Sequence, residues 1–229
     1  MPPPPSNPKC EYYGCIPSTA PGRSALESPH FNLLERTTGD FVPTVYAIDD
    51  LPPPPWDCLR VVMISDTHEL HRDVVLPLGD LLLHCGDVQL GFWPFHRPRK
   101  QLFDFFEWFR GQPHPVKVFI GGNHDRLLRR MTVAEVRRHV APALYLHNES
   151  CVVEPLGLRL YGSPRSIENS KLSPNTAFQS ERAWSAFPAP VHAAAADTAA
   201  DGVRRLQRGA PLTVRLEGPT AGAGRWMCC

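Results

Sequence analysis

Three apolar runs, each cut short by polar residues able to ligate a metal, constrain this chain more than any other feature. Leu59 to Ser65 ends in Asp66-Thr67-His68, Leu81 to Cys85 ends in Gly86-Asp87, and Val116 to Ile120 ends in Gly121-Gly122-Asn123-His124-Asp125. Short, nearly continuous apolar runs rich in β-branched residues suit strands buried on both faces of a sheet. Between the second and third runs, Leu102, Phe105, Phe106 and Phe109 recur at helical spacing within Arg99 to Arg110, which predicts a crossover helix and parallel strands. Thr132-Val133-Ala134-Glu135 has the capping-box pattern, and Val133, Val136 and Val140 continue an apolar stripe, so a second helix is expected to about residue 140. Gly157 to Gly162 reads as one more strand. The expected class is α/β, with the polar clusters meeting at the carboxyl edge of the sheet, where ligands collect in such folds.

Two carboxylates, an imidazole and a side-chain amide at adjacent strand ends offer the oxygen and nitrogen donors, with negative charge, that a divalent cation needs. Asp87, with two oxygens and a glycine before it, is placed to bridge two ions. Two such ions hold a phosphate ester and activate a water for in-line displacement. His124, one residue beyond a ligand position, is then free to protonate the leaving oxygen. Each cluster also has a bland reading, since aspartates and histidines often cap strands and turns; the order of all three after apolar runs carries the metal reading.

Asp66-x-His68, Gly86-Asp87 and Gly122-Asn123-His124-Asp125, with Gly157 to Pro164 after them, resemble the calcineurin-like metallophosphoesterase superfamily. The wording around these motifs is similar to that of metallophosphoesterase-domain-containing phosphodiesterases active on cyclic nucleotides. The resemblance covers roughly residues 57 to 184. It implies an αββα sandwich of two sheets flanked by helices, of which this chain encodes the N-terminal half. It also implies Asp66 and His68 on a first metal, Asp87 bridging, Asn123 on a second metal and His124 as the acid, with Mn²⁺, Fe or Zn²⁺ as the ions. The implied activity is hydrolysis of a phosphodiester or nucleotide small molecule. Many relatives place an acid three positions after the bridging aspartate to orient the histidine; here the stretch is Val88-Gln89-Leu90. The family's later Gly-His and Gly-His-x-His motifs have no counterpart after residue 125. The rival reading is therefore a non-catalytic chain acting through a protein partner that covers a sheet face left open.

Composition sets the flanks. Half of the 26 prolines precede residue 56, and proline removes backbone donors and favours extended conformations, so residues 1–55 read as a mostly unpacked arm. Residues 56–187 read as the metallophosphoesterase domain. Residues 188–229, with alanines, glycines and arginines, read as a low-complexity tail in which Asp201 to Gln207 is a candidate short helix and His192, which follows no glycine and ends no apolar run, does not read as a replacement ligand. A net charge of +1 gives no electrostatic ground for binding duplex nucleic acid or a membrane surface. With no signal-like start, no long apolar run and no Cys-x-x-Cys among seven cysteines, a cytoplasmic protein is expected; Cys228-Cys229 is not a C-a-a-X box. His71, three residues after His68, reads as a surface turn histidine, with a spare metal ligand as the alternative; His84 and Cys85 read as packed in the second strand, and Arg126, Arg129, Arg130, Arg137 and Arg138 as a solvated helix face, with attraction of an anionic substrate as the alternative.

Overall fold

The computed structural model describes residues 14–15, 30–36, 41–54, 59–91, 98–154, 158–167, 173–179, 211–216 and 225–228. They divide into two units, one of Met1–Cys58 with Val75–Pro77 and one of Leu59–Val74 with Leu78–Cys229.

In the first unit, β1 (Gly14–Cys15), β2 (His30–Arg36) and β3 (Phe41–Ala47) form an antiparallel sheet with β2 in the middle. Asn32 pairs with Val45, and Arg36 with Phe41. The expectation of an arm without a central strand does not hold for these residues. The prolines bracket two seven-residue runs rich in β-branched, aromatic and leucine residues, and only Pro43 falls inside one. Proline is tolerated on an edge strand, where its missing N–H takes nothing from the ladder, and β3 is an edge in the strand order β1-β2-β3.

The second unit opens with β4 (Val61–Ile64), β5 (Leu81–His84), β6 (Val116–Phe119) and β7 (Leu144–Tyr145), hydrogen-bonded in that order and all parallel. Between β5 and β6 runs α1 (Pro98–Gly111), and between β6 and β7 run α2 (Arg126–Arg130) and α3 (Val133–Val140). The buried stripe of α1 is Leu102, Phe105, Phe106 and Phe109, as its spacing predicts. Its rings close on Phe119 of β6, with centroids 5.5 Å from Phe105 and 5.6 Å from Phe109. Burial of such a side chain stabilises by about 1.5–3 kcal/mol. Thr132 and Glu135 form the expected capping box: the Thr132 Oγ1 accepts from the Glu135 N–H at 3.2 Å, and the Thr132 N–H donates to Glu135 Oε2 at 2.8 Å. Burial on both faces holds for β5, whose four residues are all buried. It does not hold for β4, which lies at the end of the strand order with Met63 52% exposed.

A second sheet follows. β8 (Glu149–Glu154) and β9 (Leu158–Gly162) pair antiparallel at its centre; β10 (Thr213–Leu216) adds to β8 antiparallel and β11 (Arg225–Cys228) to β9 parallel. The core lies between the sheets: Leu81, Leu83, Val116, Val118 and Ile120 meet Leu146, Cys151, Val153 and Leu160. Alternation explains the layers, since Leu81 and Leu83 face this core while His84 turns to α1, 5.1 Å from the Phe105 ring.

The sheet face that the sequence left for a partner is therefore covered within the chain. Part of the cover comes from the stretch read as a tail: Val214 of β10 packs against the core, and Arg215 lies 3.5 Å from Glu154. Two short edge strands need few large apolar residues, so composition hid them. The candidate helix over 201–207, His192 and the proline run at residues 2–5 lie outside the described residues.

Candidate metal centre

The turns after β4, β5 and β6 lie side by side because their strands do. Asp66 and His68 follow β4, Gly86 and Asp87 follow β5, and Asn123 and His124 follow β6. Backbone rungs lock the first turn to the second: Asp66 N donates to Gly86 O at 3.0 Å, His68 N to Asp87 O at 3.1 Å, and Glu69 N to Val88 O at 2.8 Å. The turns are strained, with φ of 53° at Asp66, 43° at His68, 71° at Glu69 and 55° at Asp87. Left-handed backbone at a non-glycine residue costs about 1–3 kcal/mol and gathers at functional sites. Gly86, at φ 104°, takes the most demanding turn.

These turns bring His68, Asp87 and His124 together, with a ligand atom from each lying within 4.8 Å of the others. Asp66 Oδ1 is 3.9 Å from His68 Nε2, and the two imidazole rings stand 4.6 Å apart. The His68 Nδ1–H donates to the Gln89 carbonyl at 3.0 Å, which leaves the Nε2 lone pair for the cluster. A histidine tied in this way through its other nitrogen is prepared as a metal ligand. Asp87 Oδ1 accepts from the His124 backbone N–H at 2.9 Å. Asn123 is held at the same edge, its Nδ2 3.4 Å from Asn175 O and its carbonyl accepting from Ala177 N at 3.0 Å. Two carboxylates, one imidazole and a side-chain amide are a donor set for a divalent cation, with the His124 imidazole beside them, so the residues present fit the group the motifs imply.

Among the described residues no acidic side chain hydrogen-bonds the His124 ring, and main chain takes that part. Its Nδ1–H donates to the carbonyl of Leu90 at 3.0 Å, the position where relatives place an acid. Its Nε2 then accepts from Asn175 Nδ2 at 3.1 Å. Asn175 escaped the sequence reading because it lies 51 residues beyond His124 and belongs to no motif. Asp125 was inside a motif but had been given no role. It is fully buried and staples the second turn to the third, accepting from Gln89 N and Gly122 N at 2.8 Å each. Burial pushes its carboxyl up to about 7, against the N–H groups that favour the charged form. The Gln89 side chain continues the lattice, accepting from Leu127 N at 3.1 Å and donating to Pro98 O at 3.2 Å.

His84 lies beneath the turns. The Gly86 N–H donates to its Nδ1 at 3.3 Å, so the neutral ring carries its proton on Nε2 and donates to Thr67 Oγ1 at 3.0 Å. Burial drives its pKa down to about 3. His71 is neither a spare ligand nor a surface residue: it is fully buried, with Nε2 2.9 Å from Asp104 Oδ2 and its ring against Phe105 and Trp108. The apolar side of α1 encloses it, which the spacing from His68 could not reveal. Arg72 also grips Asp104, at 2.7 and 2.8 Å, and that hydrogen bonding holds the carboxyl down at about 2. Arg137 leaves the solvated face as well, bonding Glu149 and the Tyr145 carbonyl.

An α/β sandwich that gathers imidazole and carboxylate donors at the carboxyl edge of a parallel sheet has the plan of a metallophosphoesterase. Two of the curated proteins to which the chain is similar carry that name. Metallophosphoesterase domain-containing protein 1 of Homo sapiens, and that of Mus musculus, are each 28% identical over 148 residues, 53% of this chain and 43% of the relative. A UPF0046 protein of Caenorhabditis elegans is 39% identical over 82 residues, 34% of this chain and 27% of the relative. The probable rhamnogalacturonate lyase C of Emericella nidulans is 32% identical over 143 residues, 57% of this chain but 13% of that protein. No family model matches the chain. The chain is a relative of the metallophosphoesterases, and it spans less than half the length of the curated relatives it matches.

Proposed function

We propose that this chain hydrolyses a phosphodiester in a divalent-metal-dependent reaction, with nucleotides, cyclic ones among them, as candidate substrates. The observation that carries the reading is the convergence of His68, Asp87 and His124 within 4.8 Å at the ends of three adjacent strands. Asp66, His68, Asp87 and Asn123 would hold the ions, Mn²⁺, Fe or Zn²⁺. When bound, they lower the pKa of a water and offset the charge on the phosphate. His68 presents Nε2 because Gln89 O holds its Nδ1–H, and Asp87 is held by the His124 N–H. His124, anchored through Nδ1 on Leu90 O, would deliver a proton from Nε2 to the leaving oxygen when its ring is charged. Asn175, whose amide donates to that nitrogen in the neutral ring, sets the ring's rotation and must turn its Oδ1 to the Nε2–H of the charged ring. A reducing, cytoplasmic setting belongs to the same proposal, on the ground that no Cys-x-x-Cys pair occurs among the seven cysteines.

The test is metal content per chain together with Mn²⁺-dependent turnover of bis(p-nitrophenyl) phosphate. Wild type should bind metal and turn over, and Asp87→Asn should lose both, with a rate loss of at least about a hundredfold. A chain without metal and without turnover favours the rival reading, a non-catalytic relative that works through a partner.

A further inference from the structure

The arginines after His124 do not simply form a solvated face. Arg126, Arg129 and Arg130 line a cleft of about 260 Å³ with Thr176 and Ala177. At spacings of three and four residues on one short helix, like charges destabilise that helix by a few tenths of a kcal/mol per pair, and α2 has no acidic residue in its first turn. Among the described residues Arg129 and Arg130 make no ion pair. The Arg129 guanidinium is instead aimed by a backbone carbonyl, its Nη1 donating to Thr176 O at 3.1 Å.

That carbonyl ties the cleft to the metal centre. Thr176 follows Asn175, whose side chain reaches His124 Nε2 at 3.1 Å, and Ala177 N donates to Asn123 O at 3.0 Å. Consecutive Cα atoms are about 3.8 Å apart, so one three-residue strip separates the arginines from the reacting edge. Guanidinium forks match phosphate oxygens two at a time, which makes arginine the side chain suited to a fixed phosphate.

We propose that the cleft between α2 and residues 175–177, lined by Arg126, Arg129 and Arg130, is a subsite for a second phosphate group of the substrate, beside the one that is cleaved. The inference rests on the phosphodiester reading above and narrows it. A cyclic nucleotide with a single phosphate leaves this cleft empty; a nucleotide phosphodiester bearing a further phosphate fills it.

The test is calorimetric titration of the full chain with pyrophosphate in EDTA, so that no metal contributes. Wild type should bind, and R129Q/R130Q should bind at least about tenfold more weakly while its thermal melt is unchanged. R129K/R130K, which keeps the charge but loses the forks, should fall between them. Absence of binding to wild type, or equal binding by R129Q/R130Q, overturns the subsite. Arginine-dependent binding in a chain that turns over no phosphodiester keeps the subsite and removes the hydrolytic reading. Turnover with arginine-independent binding does the reverse.

Discussion

The Asp87 carboxylate occupies space that a side chain at position 122 would take. A Cβ built on Gly122 meets Asp87 Oδ1 at 2.2 Å and its backbone nitrogen at 2.6 Å, distances that no relaxation of a flexible tip relieves. Gly122→Ala should therefore move the Asp87 carboxylate, and under the proposed metal role this lowers Mn²⁺ bound per chain as read by elemental analysis while the far-ultraviolet circular dichroism is retained. An alanine variant with full metal content would sever this link between glycine and site. Asn175 offers a second residue-scale expectation. Asn175→Ala removes a side-chain partner of His124 Nε2, so kcat on the activated phosphodiester should fall by up to about tenfold, the value of one hydrogen bond, with KM little changed. Asn175→Gln, which can still donate, should recover part of the loss; equal kcat in all three would deny Asn175 a positioning role. The motif residues were legible in the sequence as a group. Their partners were not, because Leu90 and Gln89 act through main-chain carbonyls, which any residue type supplies.

At the scale of elements, β5 and α1 form the layer on which the site stands, and His84 is its polar inlay. The unfolded chain protonates this histidine near 6.5, whereas in the fold burial holds its pKa at about 3. A lowered folded pKa means that the unfolded state takes up the proton first, so the contribution is fully present above 6.5 and is lost as pH falls toward 3. The slope reaches about 1.4 kcal/mol per pH unit. His71 and His147, also lowered by burial, act in the same sense. Asp125, raised to about 7, acts in the opposite sense, stabilising less as pH rises from 3.8 to 7. The difference between wild type and His84→Gln isolates one group. In urea unfolding at pH 7.5, 6 and 5, that difference should shrink as pH falls, and a constant difference would mean that His84 is not held neutral. The strong elements β5, β6, α1 and α3 were readable from the periodicity of their apolar residues. The five-residue helix α2 and the two-residue strand β7 were not, being shorter than any period that could announce them.

At the scale of the whole molecule, the sandwich closes because strands far apart in the chain complete one sheet. β8 and β9 supply Cys151, Val153 and Leu160 to the core, while β10, about fifty residues later, adds Val214 on one side and β11 flanks the other. The described fold thus contains a four-stranded second sheet even though the motifs that would mark the later part of the family pattern are absent after residue 125. Sandwich architecture and complete ligand set are separable properties: the first needs apolar faces of matching area, the second needs particular residues at particular turns.

Read as a string, the chain already specifies an α/β plan, parallel strands around a crossover helix, and the identities of Asp66, His68, Asp87, Asn123 and His124 as the residues to watch. These are local properties, written in hydrophobic period and in residue chemistry at strand ends. Packing settles the rest: that His71 is interior, that β10 and β11 close the second sheet, that Asn175 and the Leu90 carbonyl hold His124, and that three arginines line a cleft beside it. Each of those depends on contacts between residues distant in sequence, and such contacts arise only when the strands have paired and the sheets have packed around their common core.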